Sequence, residues 1–276
     1  MKVAVIILNY NSSRDCKRCV EDLLRQGGID LEIIIVDNCS NEVDRLAVKK
    51  LCSDNFLTFI PAAENRGYNA GNNIGLRYAC SKNYKYALIA NPDMQFPETD
   101  YVAKLVAKME EDPEIAVCGS NIVGMDGRPQ SPSIPDSRSW LSAWKWVLFP
   151  FMRKKELPEY IDNCLESHYC QKISGCCLLV RLLFMSEIDF FDENVFLYCE
   201  EAILSKQVEK CGKRIYFLQV ATAIHAHIKS EKGDPRVRFR NWLRSRLYFE
   251  KVYNYDGAVS HFLKEFGLKT YMLFFT

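Results

Sequence analysis

The chain has no run of about 18 or more uncharged apolar residues, the length a helix needs to cross a bilayer, so no spanning helix is expected. It has no excess of one charge. Its 36 Lys and Arg stand against 35 Asp and Glu, which gives no bulk attraction to nucleic acid and keeps nucleic acid off the expected partners. No leader of charged, apolar and small-residue segments precedes MKVAVIILNYN, where a strand is expected to begin at once. The expected setting is therefore a reducing cytoplasm, with the twelve cysteines serving as small core residues rather than a disulfide framework. Cys16 and Cys19 form a CxxC, but no second ligand pair follows at zinc spacing, so helix packing is their expected role. Internal repeats and low-complexity tracts are also missing.

At 276 residues the chain can bury a full-sized core. Residues 3–8, 31–36, 56–60, 86–90 and 115–118 are short, apolar and rich in β-branched side chains. Between them, residues 13–26, 42–52, 69–81 and 99–111 carry a helical period. This alternation predicts an α/β fold, a mostly parallel Rossmann-like sheet with helices on both faces. Ser12 or Ser13 suits the cap of the first helix, Gly27 and Gly28 its end, and Pro97 with Thr99 precedes the fourth. Residues 121–136 read as loop. Regular structure returns at KISGCCLLV (172–180), in a polar helix at 200–210, and in strands at 214–218 and 221–226, before a helical, arginine-rich C-terminal extension.

In an open parallel sheet ligands bind outside the carboxyl ends of the strands. Those ends read Asn9, Tyr10 and Asn11, then Asp37 and Asn38, then 64–67, then Asn91, Pro92 and Asp93, so four successive ends are polar. Each alone could be an Asx-turn or a helix cap. Pro92 fixes one torsion and presses Asn91 toward an extended conformation, which aims the Asp93 carboxylate with little freedom. Such an acid can hold Mg²⁺ or Mn²⁺ together with phosphate oxygens and water. The first strand is followed by NYNSS rather than GxGxxG, which argues against a dinucleotide-binding dehydrogenase.

The motifs ILNYNS, IIIVDNCS, ENRGYNAGNNIGLRYA, NPD, ISGCCLLV, FDENVFLYCEEAIL and ATAIHAHIKS follow the order and spacing of family 2 glycosyltransferases. The chain resembles the branch with bacterial rhamnosyltransferases over about residues 2–255. The resemblance implies a GT-A fold, a catalytic domain over 1–230 (a nucleotide-sugar half at 1–120, an acceptor half at 121–230) and a helical extension at 231–276. It also implies inverting, divalent-cation-dependent transfer, with rhamnose the leading sugar, from a dTDP- or UDP-sugar donor to a glycan or lipid-linked glycan in surface polysaccharide synthesis. By resemblance Asp37 meets the pyrimidine, Asn9 and Asn11 lie near the nucleoside, and Asn65, Arg66, Gly67, Gly71 and Asn72 form a loop closing on the donor. In that loop the glycines allow close backbone approach and Arg66 offsets phosphate charge. Asn91 and Asp93 match the variant DxD motif, with Asp93 the metal ligand. His225 matches the histidine near the metal or diphosphate, with Ser230 following and His227 as the alternate.

Glu200 and Glu201 open the polar helix and point about 100° apart, so they should have different partners. By resemblance Glu201 is the base, with Glu200 the other candidate. The family's further acid is Ile203 here, which leaves a non-catalytic, nucleotide-sugar-binding subunit of a polysaccharide assembly complex as the alternative. Two segments suit a membrane interface at the inner face of the cell membrane. One is the aromatic and basic run 139–155, which reads equally as a lid or core. The other is 236–253, where Arg236, Arg240 and Arg244 line one helix face and Phe239, Leu243 and Leu247 another, a pattern that suits anionic lipid or an acceptor diphosphate and equally fits ordinary packing.

Overall fold

A computed structural model describes residues 1–134, 147–148, 160–161, 166–226, 234–254 and 257–275. At its centre is β1 (Lys2–Asn9), an apolar strand buried on both faces: Val3, Val5 and Ile7 point to one side and Ala4, Ile6 and Leu8 to the other. It pairs in parallel with β2 (Asp30–Asp37) and β4 (Tyr86–Ala90), and β2 pairs in parallel with β3 (Thr58–Pro61). Beyond β4 the order is β10 (Cys177–Arg181), β6 (Ile115–Gly124), β11 (Arg214–His225) and β5 (Met94–Gln95), with β9 (His168–Cys170) on the start of β11. Strands β10, β5 and β9 are antiparallel to their neighbours, so the sheet is mixed but mostly parallel. β7 (Ser133–Ile134) and β8 (Tyr160–Ile161) form a separate antiparallel pair.

Helices cover both faces, as the sequence pattern predicts. On the Val5 side, α1 (Ser13–Leu23), α2 (Glu42–Asp54) and α4 (Tyr101–Glu111) pack through Cys16, Cys19, Val48, Cys52, Tyr101 and Leu105. On the Ile6 side, α3 (Tyr68–Ser81), α5 (Leu182–Glu187) and α6 (Glu200–Lys210) pack through Leu76, Ala79, Phe184 and Leu204. The CxxC pair is core, and burial pushes both thiols well above the ordinary cysteine range, away from thiolate chemistry.

Three local expectations are corrected. The first helix ends at Leu23, ahead of the Gly27–Gly28 stop. Residues 121–124 are strand rather than loop, because Asn121 to Gly124 pair with Thr222 to His225. The strands expected at 214–218 and 221–226 are one strand, β11, whose register shifts between Leu218 and Thr222, where three residues bulge from the ladder between partners that are adjacent on β6, Ser120 and Asn121. The boundary placed at 120 thus falls inside β6, and both halves contribute to a single sheet.

The C-terminal extension consists of α7 (Pro235–Val252) and α8 (Ala258–Phe275), joined by Leu243, Leu268 and Tyr271 with Phe239, Trp242 and Leu247 against them. Between them the fully buried Glu250 carboxylate sits 2.5 Å from Arg246 and 3.2 Å from Lys264. Arg236, Arg240 and Arg244 are exposed. No helix among the described residues is long and apolar enough to cross a membrane. Of the sequence expectations, His227, Ser230 and nearly all of 139–155 lie outside the described residues.

Candidate functional site

The carboxyl ends of β1 and β2 lie in register, Asn9 beside Asp37, and both residues are fully buried. The Asn9 amide donates to Asp37 Oδ1 (3.1 Å), Ser40 Oγ (3.1 Å) and Asp44 Oδ2 (2.8 Å). Asp37 also accepts from the Ser40 backbone N–H at 3.3 Å. Burial alone would raise the Asp44 pKa, but hydrogen bonds from Asn9, Ser13 and Ser40 outweigh it and hold this carboxyl below its usual range. The Ser13 N–H is thus capped from across α2 by Asp44 Oδ1, at 2.8 Å, and not by a serine side chain of its own turn. Asn9 and Asp37 therefore form the floor of the edge. Asn11 lies at the surface, with φ of 52°, where its Oδ1 accepts from the Asn41 backbone N–H (2.9 Å) and amide (2.7 Å).

The loop before α3 is tied to this floor by Asn38, whose amide donates to Asn65 Oδ1 (3.1 Å) and Gly67 O (3.3 Å). Gly67 has φ of 104°, and a Cβ there would fall 2.3 Å from Phe196 O, the same oxygen that accepts from the Tyr68 N–H at 2.8 Å. A Cβ at Gly71 would fall 2.5 Å from a Leu8 methyl. Both glycines serve close packing inside the protein, of the loop on Phe196 and of α3 on β1. Asn72 is likewise fully buried, its amide bonded to Tyr68 O at 3.1 Å. Arg66 is exposed, 3.1 Å from Glu193 and 3.8 Å from Glu64. Asn38, Glu64, Arg66, Gly71, Arg77 and Glu193 line a shallow depression at this edge.

From β4 a second network reaches α6. The Tyr68 hydroxyl lies 2.9 Å from both Asn91 Oδ1 and Gly175 O, and the Asn91 N–H donates to Cys176 O at 2.8 Å. The Gly175 N–H in turn donates to Glu201 Oε1 at 3.1 Å. Burial, and then the charge of Glu200, push the Tyr68 hydroxyl well above the usual range, so it stays a donor. Tyr198 and Cys199 both have positive φ, 75° and 66°. Two side-chain-bearing residues in succession in that region strain the turn that delivers both glutamates to the first turn of α6. Their partners differ, as the helical offset predicts. Glu201 is anchored on the Gly175 N–H, whereas Glu200 Oε2 is enclosed and has no hydrogen-bond partner among the described residues. Burial first, and the Glu201 charge second, push Glu200 up to about 8.

Asp93 and His225 meet where β5 pairs with the end of β11: Asp93 Oδ2 lies 3.3 Å from His225 Nε2, with both side chains largely buried. On the other side of the ring, His225 Nδ1 is 2.8 Å from Gln130 Oε1, an acceptor. Asp93 Oδ2 and Gln130 Oε1 thus bracket the two ring nitrogens of His225. One carboxylate and one imidazole fit a divalent ion that takes its remaining ligands from phosphate oxygens and water. No group of three His, Cys, Asp or Glu side chains able to hold a metal occurs among the described residues. A cavity of about 420 Å³ lies between α6, the start of β11 and α7, lined by Lys172 and Ala202 among others.

The sequence reading did not single out Ser40, Asp44, Tyr68, Gly175 or Gln130 as site residues. Tyr68 and Gly175 stood inside motifs already noted, NRGYNAG and ISGCC. Gln130 lay in a segment read as loop, and only the β6–β11 pairing brings it to His225.

A family model described as Glycosyl transferase family 2 matches residues 4–172. The low-salt glycan biosynthesis hexosyltransferase Agl10 of Haloferax volcanii is 26% identical over 226 residues, 81% of this chain and 66% of that protein. The chain therefore spans just under two thirds of this relative's length. The rhamnosyltransferase WbbL of Escherichia coli is 24% identical over 279 residues, 94% of this chain and 99% of that protein. Among solved structures, the mannosyltransferase PcManGT from Pyrobaculum calidifontis, in complex with GDP-Man and Mn²⁺, superposes with a TM-score of 0.62. It is 16% identical, over 99% of this chain and 70% of that one, and this likeness supports the GT-A fold.

Proposed function

We propose, from the premise that this chain belongs to glycosyl transferase family 2, that it moves a sugar from a nucleoside diphosphate sugar to an acceptor hydroxyl with inversion. The donor is a dTDP- or UDP-sugar, with rhamnose the leading sugar, and the acceptor a glycan or lipid-linked glycan of surface polysaccharide. The name of the WbbL relative supports the sugar. The donor lies across the polar strand ends, with Arg66 and the Asn65–Gly67 loop toward its diphosphate, Asn11 toward the nucleoside, and Asn9 and Asp37 as the floor that holds these loops.

The observation that carries this reading is the split between two adjacent carboxyls. Burial, then the charge on Glu201, raise Glu200 to about 8, whereas Glu201 accepts from the Gly175 N–H at 3.1 Å beside the donor edge and is the acid assigned the acceptor's proton. In the transfer the acceptor oxygen attacks the anomeric carbon while Glu201 takes its proton. The bond from that carbon to the diphosphate oxygen breaks, and the nucleoside diphosphate leaves with the electron pair. The Gly175 N–H and the Tyr68–Asn91 bond hold Glu201 in register with the donor edge. Asp93 and His225 would hold the divalent ion, which when bound neutralises the diphosphate as it departs.

Calorimetry and product analysis with a panel of dTDP- and UDP-sugars test this reading. Glu201→Gln should bind donor as the wild type does and lose turnover by at least about a hundredfold. Asp93→Asn should lose the Mn²⁺-dependent part of donor binding. Donor binding by the wild type with no transfer to any acceptor would favour the non-catalytic, sugar-nucleotide-binding subunit, which the isoleucine at 203 also fits.

A further inference from the structure

The exposed apolar side chains of α8 fall on one line. Val259, Phe262, Phe266 and Leu273 are 67, 65, 52 and 81% exposed. At 100° per residue they lie within about 60° of one another. The rings of Phe262 and Phe266 stack at 6.1 Å. The opposite side of α8 is committed to α7 through Lys264, Leu268 and Tyr271, so the stripe is the outermost surface of the hairpin. On α7, the exposed ridge of Arg236, Arg240 and Arg244 lies about a quarter turn from the face that meets α8.

Charge separates this hairpin from the rest of the protein. Residues 234–276 carry eight of the 36 Lys and Arg and four of the 35 Asp and Glu, a net of +4, which leaves the other 233 residues at −3. We propose that the α7–α8 hairpin seats the protein on an anionic lipid bilayer. The α8 stripe enters the boundary between headgroups and acyl chains, and the α7 arginines meet lipid phosphates. A second copy of the chain fits less well. The four side chains expose about 500 Å², short of the roughly 800 Å² per partner of a stable interface, and a symmetric contact would bring two basic hairpins together.

The hairpin is joined firmly to the turn that carries the acids. Ser245 Oγ donates to Leu197 O at 2.7 Å, and the Tyr248 and Tyr253 hydroxyls donate to Asp192 Oδ2 at 2.8 and 2.7 Å. Phe249 packs with Val195 and Ile203. A bilayer under α8 therefore fixes the height of Glu200 and Glu201 above the membrane, the arrangement an acceptor anchored in that membrane requires. This last consequence rests on the transferase reading, whereas lipid contact does not.

Co-sedimentation of the full chain with phosphatidylcholine vesicles, with and without phosphatidylglycerol, tests the proposal without donor or acceptor. The wild type should bind anionic vesicles at least about tenfold more tightly than neutral ones, with binding that falls as salt rises. Phe262→Ser with Phe266→Ser should weaken anionic binding about tenfold or more. Arg236→Glu with Arg240→Glu and Arg244→Glu should remove the preference for anionic lipid. Wild-type protein that ignores anionic vesicles overturns the proposal, and that measurement needs no variant to fold. Unchanged binding by both variants overturns it too. So does a wild-type dimer by light scattering that becomes monomeric in the phenylalanine variant while vesicle binding stays the same.

Discussion

Replacing Glu200 by glutamine should make the protein more stable at pH 8, and the gain should vanish in acid. The carboxyl moves from an ordinary value of 4.5 in the unfolded chain to about 8 in the folded one. Below pH 4.5 both states hold the proton and the site costs nothing. As pH rises from there the unfolded chain ionises first, so folding is progressively penalised until the folded form also ionises near pH 8. At about 1.4 kcal/mol per unit, the whole shift corresponds to roughly 5 kcal/mol, of which about 4 is reached at pH 8. Glu201 shares the titration and a buried glutamine amide has a cost of its own, so the expected gain is about 2 kcal/mol, or about 3–5 °C in Tm for a chain of this size. Thermal melts of both proteins at pH 4.5, 6, 7 and 8 (about evenly spaced across the window) would trace the divergence. Turnover supplies the second readout: Glu200→Gln should keep activity at pH 7 within about tenfold of wild type and lose any limb of the pH profile near 8. Equal melting temperatures at pH 8 would refute the placement of Glu200 as a buried, proton-holding neighbour.

Two further changes probe the scaffold of the site. Gly67→Ala introduces a Cβ 2.3 Å from Phe196 O at φ of 104° and threatens the Tyr68 N–H bond to that oxygen, so about 3 kcal/mol of stability should be lost in denaturant melts. Tyr68→Phe removes the hydroxyl between Asn91 and Gly175; it should cost about 1–2 kcal/mol and lower turnover more than donor affinity, as calorimetry beside initial rates would show.

Much of this protein was legible in the residues alone. The continuous apolar runs at 3–8 and 86–90, flanked by helical periods, fixed a parallel α/β core, because a strand buried on both faces has no polar side to show. The polar strand ends marked the edge where the site lies, because side chains there must leave the core. The order of the motifs from NYNS to HAHI named the family, which the match over 4–172 bears out. What the one-dimensional pattern could not separate was which polar residue faces a ligand and which holds a loop. Asn9, Asp37 and Asn72, expected beside the donor, are fully buried in hydrogen-bond networks, and Gly67 and Gly71 pack against Phe196 and Leu8. The tertiary structure alone joined Tyr68 to Asn91 and Gly175, and Gln130 to His225, across gaps of 23 to 107 residues, because hydrogen-bond partners are chosen by how strands pair and helices pack. It also decided the different surroundings of Glu200 and Glu201. Adjacent in sequence and identical in chemistry, they were separated by a helical offset that left one on a backbone N–H and enclosed the other.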